Sequence, residues 1–453
     1  MHRRLWPRLA LCALAFFGPS QTAFAQTPAP KIDSGDTAWM MISAALVLLM
    51  TPGLAFFYGG LVRGKNVLSV LMQSFVACGL VSVAWVLVGY SLAFGPDHGG
   101  VIGDFSWAGL NGVSTWTANE HYAATIPHLL FMVYQMMFAI ITPALISGAI
   151  VERMKFSAYF LFLLLWSLCV YTPLAHMIWG WHGFLGMSGP VKALDFAGGT
   201  VVETASGVSA LVMALLLGRR RSNGPEDLRP HNLPLTMVGM GLLWFGWFGF
   251  NAGSAGSAGP LAVSAFVATQ IAGATAALAW ILIEWVRYKK PSTLGFASGA
   301  LAGMVAITPA AGYVRPMPAL LIGLVAAFVS FGAIKVKNKY GYDDSLDVFA
   351  VHGCAGIWGL LATGLFATIS VNPAAADGLF NGNPAQLGRQ AVAALVAIGV
   401  AGAGTFIVAK VVALLTRGLR ASEEDEENGL DVTEHGEVGY ADENSGSPLA
   451  GLG

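Results

Sequence analysis

Two ionisable residues stand inside runs that are otherwise apolar. Glu203 lies in Val202-Glu203-Thr204-Ala205-Ser206-Gly207-Val208-Ser209-Ala210-Leu211, and His352 in Val351-His352-Gly353-Cys354-Ala355-Gly356-Ile357-Trp358-Gly359-Leu360. The two runs match at Val, at a small residue followed by Gly, and at the closing Leu, so carboxyl and imidazole occupy equivalent positions of an internal repeat. A charged side chain at the centre of a membrane helix costs at least about 2.5 to 3.5 kcal/mol, and two such groups at matching positions need a reason. One is a polar relay in an otherwise dry pathway, since both groups can accept and donate a proton. The other is a neutral, hydrogen-bonded pair that tightens helix packing. An acid–base enzyme would use the same two groups, but no nucleophile, metal-ligand spacing or cofactor motif accompanies them.

A second cluster is aromatic. Tyr134 and Phe138 share one apolar run, Trp179 ends the next, and Trp247, Phe250 and Ser254 share a third with Asn251 and Gly253 between them. Desolvated aromatic faces hold a cation with about 2 kcal/mol or more, and a hydroxyl supplies a directed acceptor. A belt of Trp and Tyr at the membrane surface would use the same residues. Position along the chain does not separate the two.

The elements that must position these groups are membrane helices. Of 453 residues, 55% are hydrophobic and 11% charged, against about 25% charged in soluble proteins. The 56 glycines suit close helix approach in a bilayer, and a net charge of -1 gives no reason to expect nucleic acid. His2, Arg3, Arg4 and Arg8 precede the apolar run Leu9 to Phe17 and the small-x-small site Ala23-Phe24-Ala25, which predicts a secretory signal over 1–25. Cys12 falls in that signal; Cys78, Cys169 and Cys354 fall in apolar segments without C-x-x-C spacing, which indicates neither a disulfide framework nor a zinc site.

Eleven apolar stretches follow, near 37–60, 66–94, 128–150, 157–179, 197–218, 233–255, 260–285, 292–311, 317–336, 346–369 and 389–416. Backbone polar groups in lipid are satisfied by helices, so the fold expected is an all-α membrane protein of eleven transmembrane helices. Alternate loops carry Arg63 and Lys65; Arg153 and Lys155; Arg219, Arg220, Arg221 and Arg229; Arg287, Lys289 and Lys290; Lys335, Lys337 and Lys339. The positive-inside rule makes those loops cytoplasmic, with the mature N-terminus outside and the C-terminus inside. Besides the match between the fifth and tenth runs, Gly53 to Gly60 in the first echoes Gly246 to Gly253 in the sixth. Five helices per unit is odd, so the expectation is two inverted five-helix repeats plus a final helix, with sites near the midplane. At about 1.5 Å per residue, Glu203 and His352 approach that plane from opposite sides, each roughly 10 Å in.

With these residues in place, the chain closely resembles the ammonium transporter family, Amt/Mep/Rh, and within it the bacterial Amt branch. The resemblance runs from about Thr37 to Tyr440. It is carried by Gly148-Ala149-Ile150-Val151-Glu152-Arg153-Met154-Lys155-Phe156-Ser157-Ala158, Ala175-His176-Met177-Ile178-Trp179, Leu194-Asp195-Phe196-Ala197-Gly198-Gly199-Thr200-Val201-Val202, Gly246-Trp247-Phe248-Gly249-Phe250-Asn251-Ala252-Gly253-Ser254 and Leu346-Asp347-Val348-Phe349-Ala350-Val351-His352-Gly353. It implies a trimer with one pore per subunit, in a bacterial inner membrane. It also implies an outer site for ammonium at Phe138, Trp179 and Ser254 with Tyr134 beside them, and a gate of Phe138 stacked on Phe250. Asp195 matches an aspartate beneath that site, where it orders backbone around the cation; a simple cap at the start of the fifth helix is the alternative. Glu203 departs from the family's usual pair of pore histidines and resembles a subset of fungal members, which bears on selectivity and pH dependence.

The chain therefore divides into a signal over 1–25, a transport domain over 26–416 and a tail over 417–453. The tail, with Gly429-Leu430-Asp431 and His435-Gly436-Glu437, resembles the family's C-terminal region, which packs on the cytoplasmic face and takes part in control by PII-type signal proteins. As a bare charge run it would be a solvated tail. Two functions remain in view: ammonium transport, and an ammonium sensor with little transport.

Overall fold

Each expected apolar run forms a helix, because within lipid only the chain itself can satisfy its N–H and C=O groups. The computed structural model describes residues 32–222 and 228–440; the signal expected over 1–25 and the end of the tail lie outside the described residues. Among the described residues, ten helices are long and apolar enough to cross a membrane: α1 (Ser34–Leu61), α2 (Gly64–Phe94), α3 (His128–Ala149), α4 (Phe156–Trp179), α5 (Gly199–Leu217), α6 (Leu233–Gly253), α7 (Pro260–Tyr288), α9 (Pro316–Tyr340), α10 (Phe349–Phe366) and α11 (Ala385–Leu415). The run expected at 292–311 is a shorter apolar helix, α8 (Thr293–Ile307), that gives way to turns. Large apolar side chains such as Val286, Leu395, Leu414 and Phe245 face outward, as a lipid-facing surface requires.

Local chemistry sets the ends. Asp33, Asn232 and Ser292 cap α1, α6 and α8, each side chain accepting the N–H of the third residue on. α7 and α9 run a few residues beyond their expected ends. Arg287 in one last turn, and Lys337 and Lys339 in the other, complement the exposed carbonyls, and left-handed Lys289 and Gly341 close the helices. α10 starts at Phe349 instead of 346, because the Asp344 carboxylate caps it from outside.

Glycine at two crossings brings the functional helices together. α1 and α6 make the most extensive helix pair, and a Cβ on Gly239 of α6 would lie 2.2 Å from the Phe57 nitrogen of α1. α5 crosses α10 at Gly207, whose Cβ would lie 2.1 Å from the Gly353 nitrogen. Only glycine permits backbone contact this close, and the second crossing adjoins both Glu203 and His352.

At one end of the bundle, β1 (Asp97–His98) and β2 (Ile102–Gly103) form a short antiparallel hairpin after α2. At the opposite end the tail folds back as α12 (Glu423–Asn428) and α13 (Leu430–His435). Asp431 of α13 accepts the N–H groups of Leu68 and Ser69 in the first turns of α2, and Leu430 N–H donates to Asn66 at 2.8 Å. Arg420 pairs with Glu426, and Ala421 N–H donates to the Arg153 carbonyl at 2.9 Å. This region is docked on the bundle; the bare-charge-run alternative does not hold for it.

Candidate functional site

The helix that carries Glu203 begins with a wide π-helical turn, Gly199–Thr204, and the helix that carries His352 with another, Phe349–Cys354. Such turns rotate side chains out of the ordinary helical phase and recur at functional sites. Each is held by an aspartate eight residues before the ionisable group. Asp195 accepts from Gly198, Gly199 and Thr200 N–H at 2.7 to 2.8 Å, and Asp344 accepts from Val348 and Phe349 N–H at 3.0 and 2.7 Å. The result is a contact between Glu203 Oε2 and His352 Nδ1 of 2.7 Å, with both side chains buried.

Three cavities lie in series around that contact. The first, about 200 Å³, opens on the hairpin side and is lined by Phe131, Tyr134, Phe138, Trp179, Phe196 and Ser254 among others. The second, about 20 Å³, has room for one water-sized group and is lined by Phe57, Tyr58, Trp247, Phe250, Glu203 and His352 within a ring of Met, Leu, Ile and Val. The third, about 130 Å³, opens on the tail side and shares Phe57, Tyr58 and His352 with the second. Phe138 faces the first cavity and Phe250 the second, and their rings stack at 4.3 Å between centroids with planes 28° apart. The stacked rings lie between the first and second cavities.

In the first cavity the Phe138 and Trp179 rings meet edge to face at 5.9 Å, and Tyr134 meets Phe138 at 5.0 Å. Ser254 Oγ donates to the Phe250 carbonyl at 2.8 Å, so its lone pairs remain to accept from a bound N–H. Tyr134 OH lies 2.9 Å from the carbonyls of Gly249 and Phe250 and 3.2 Å from Ser254 Oγ, which makes it a brace for the end of α6. Trp179 Nε1 donates to the Asp195 carbonyl at 3.0 Å. The Asp195 carboxylate is turned to the backbone and does not line the cavity.

The structure thus brings together Tyr134, Phe138, Trp179 and Ser254 in one cavity, Glu203 and His352 in another, and places Phe250 between. It corrects the placement of Trp247, grouped above with the outer aromatics. Two turns below Ser254 on α6, its ring faces the second cavity and its Nε1 donates to Thr308 at 3.0 Å. Tyr58 and Asp344 were not legible as site residues. Asp344 stands to His352 as Asp195 stands to Glu203, and that equal spacing was the available signal.

On the tail side a charged network surrounds the third cavity. Glu152, buried and in the left-handed region at φ 67°, accepts from Arg63 at 3.1 Å and Arg220 at 3.3 Å. Arg220 also pairs with Asp343 at 3.0 Å. Burial opposes ionisation of Asp343, but the Arg220 guanidinium, with Arg153, overrides it and holds the carboxyl at about 2. Burial, with Asp347 alongside, instead pushes Asp344 up to about 6.

A bundle of membrane-length helices with an apolar exterior defines a multi-pass membrane protein. The family model described as Ammonium Transporter Family matches residues 38–440, and the chain belongs to that family. It is 51% identical to an ammonium transporter of Bacillus subtilis over 90% of this chain and 99% of that one. The crystal structure of Saccharomyces cerevisiae Mep2 superposes with a TM-score of 0.81 at 35% identity, covering 87% of this chain and 89% of that one. A structure described as a sensor Amt protein superposes with a TM-score of 0.79 at 28% identity, covering 88% of this chain and 98% of that one.

Proposed function

We propose that this chain conducts ammonium through the three cavities, recruiting the cation outside and parting it from its proton before the apolar constriction. Trp179 and Phe138 offer aromatic faces to the cation and Ser254 offers an acceptor, with Tyr134 bracing the serine and Asp195 holding the backbone beneath. An unpaired ammonium in a medium of low dielectric would cost tens of kcal/mol, whereas neutral ammonia passes an apolar pore at far lower cost. Phe138 and Phe250 form the gate. Below it, Glu203 and His352 take up and hand on the proton, so proton and ammonia cross separately. The observation that carries this mechanism is the 2.7 Å contact between carboxyl and imidazole within an apolar cavity closed above by two stacked rings.

α8 completes eleven crossings, and the paired π-helical turns with their aspartates are the two halves of an inverted repeat. The hairpin faces outward and the tail faces the cytoplasm, in keeping with the basic loops. The working unit is a homotrimer in a bacterial inner membrane, serving nitrogen uptake, and the 1–25 signal is removed. PII-type protein binds at the tail face. A second function, an ammonium sensor with little transport, draws on the docked tail and on the likeness to a sensor Amt protein. Uptake of labelled methylammonium into vesicles holding the purified chain separates the two: saturable accumulation is expected, and binding without accumulation would favour the sensor.

A further inference from the structure

Trp179 is presented by a helix end that rests on a hydrogen bond between the buried His176 and the more exposed Asp97. His176 precedes Trp179 by about one turn on α4, and its side chain is fully buried. Its Nδ1 lies 3.0 Å from the Ala93 carbonyl oxygen and its Nε2 2.9 Å from Oδ1 of Asp97 on β1. A carbonyl can only accept, and so can an ionised carboxylate. That same Oδ1 already accepts the Gly100 N–H at 2.7 Å, as a carboxylate oxygen does. The ring is thus held at both nitrogens, by the carbonyl at the end of α2 on one side and by the hairpin carboxylate on the other.

The hairpin is tied to the chain after Trp179 at a second point, where Phe184 N–H donates to the Gly100 carbonyl at 2.7 Å. Between them the turn closes over His176: Gly180 N–H donates to the His176 carbonyl at 2.9 Å, and a Cβ on Gly183 would lie 2.0 Å from that carbonyl. Tyr122, which lines the outer cavity, donates to the Phe94 carbonyl at 2.7 Å and accepts from Trp181 N–H at 3.0 Å. The indole of Trp179 is thus fixed by its own bond to Asp195 on one side and by a helix end pinned to the hairpin on the other.

We propose that Asp97 and His176 are a positioning pair for the outer cation site, a hydrogen-bonded clamp that keeps Trp179 facing Phe138 and Ser254. This rests on the recruitment role assigned above to Trp179. Neither residue of the pair touches the ion.

The test is methylammonium uptake by full-length protein in proteoliposomes, with apparent KM and maximal rate measured at neutral pH. Asp97→Ala should raise KM about five-fold, part of a cation–aromatic contact, with maximal rate within about two-fold. Asp97→Asn should keep wild-type affinity, because its side chain can still hydrogen-bond the ring at Nε2. An unchanged KM in Asp97→Ala, or a KM in Asp97→Asn as high as in Asp97→Ala, overturns the proposal. Trp179→Ala is measured alongside. If it leaves KM unchanged, the recruitment role fails and the clamp with it; if it weakens affinity while Asp97→Ala does not, only the clamp fails.

Discussion

Among single residues, the proposed mechanism gives Trp179, Ser254 and Asp195 separable roles. Removing the Trp179 indole should weaken apparent ammonium affinity about ten-fold, in keeping with a cation–aromatic contact of roughly 1 to 2 kcal/mol, and Ser254→Ala should weaken it less. Both should leave saturated uptake within a few-fold, and a concentration series on each variant separates the two parameters. Asp195→Ala leaves three buried N–H groups without an acceptor, at about 1 to 3 kcal/mol each, and should bring uptake close to zero; normal transport by that variant would remove its assigned role. The pairing of Glu203 with His352 was legible because the two groups occupy matching positions of a repeated ten-residue run. Trp247 was misplaced for a physical reason. On a helix apolar all round, the hydrophobic pattern does not say which ring faces which cavity.

Among elements, the crossing of α5 and α10 is the one on which the site depends. Gly207→Ala puts a methyl 2.1 Å from the Gly353 nitrogen, so the helices must separate. Overpacking of this kind costs about 1 to 3 kcal/mol, and a lower unfolding temperature in detergent together with reduced uptake is expected. The π-helical turns were not legible, since sequence periodicity gives a helix without its local phase, whereas the helices themselves were, because their apolar runs exceed what a soluble core would contain. The tail-side network gives a pH dependence with a defined sign. The Asp343 carboxyl is held at about 2, below its ordinary value near 3.8, so it contributes stability above about pH 4 that is lost as pH falls toward 2. The amount is about 2 kcal/mol. Acid unfolding of Asp343→Asn should therefore show a shallower pH dependence over that window than the wild type, and equal slopes would count against the Arg220 pairing as the source.

For the whole molecule, the membrane-length helices end at Leu415, before the tail begins, and the tail's own contacts reach the first turns of α2 through Asp431. Deletion after Arg420 should leave a folded, membrane-inserted protein whose uptake or PII-type binding is altered, measured on vesicles from the same preparation; no change in either would sink the regulatory role. In the proposed mechanism a proton parted from ammonium passes through Glu203 and His352. The most direct test is the current recorded from reconstituted vesicles after an ammonium pulse, with a potassium pulse as comparison. Glu203→Ala should lose the ammonium current, and Glu203→His should keep it with a shifted pH dependence and a smaller response to potassium. An undiminished ammonium current in Glu203→Ala would take this residue out of the relay and leave it a packing role.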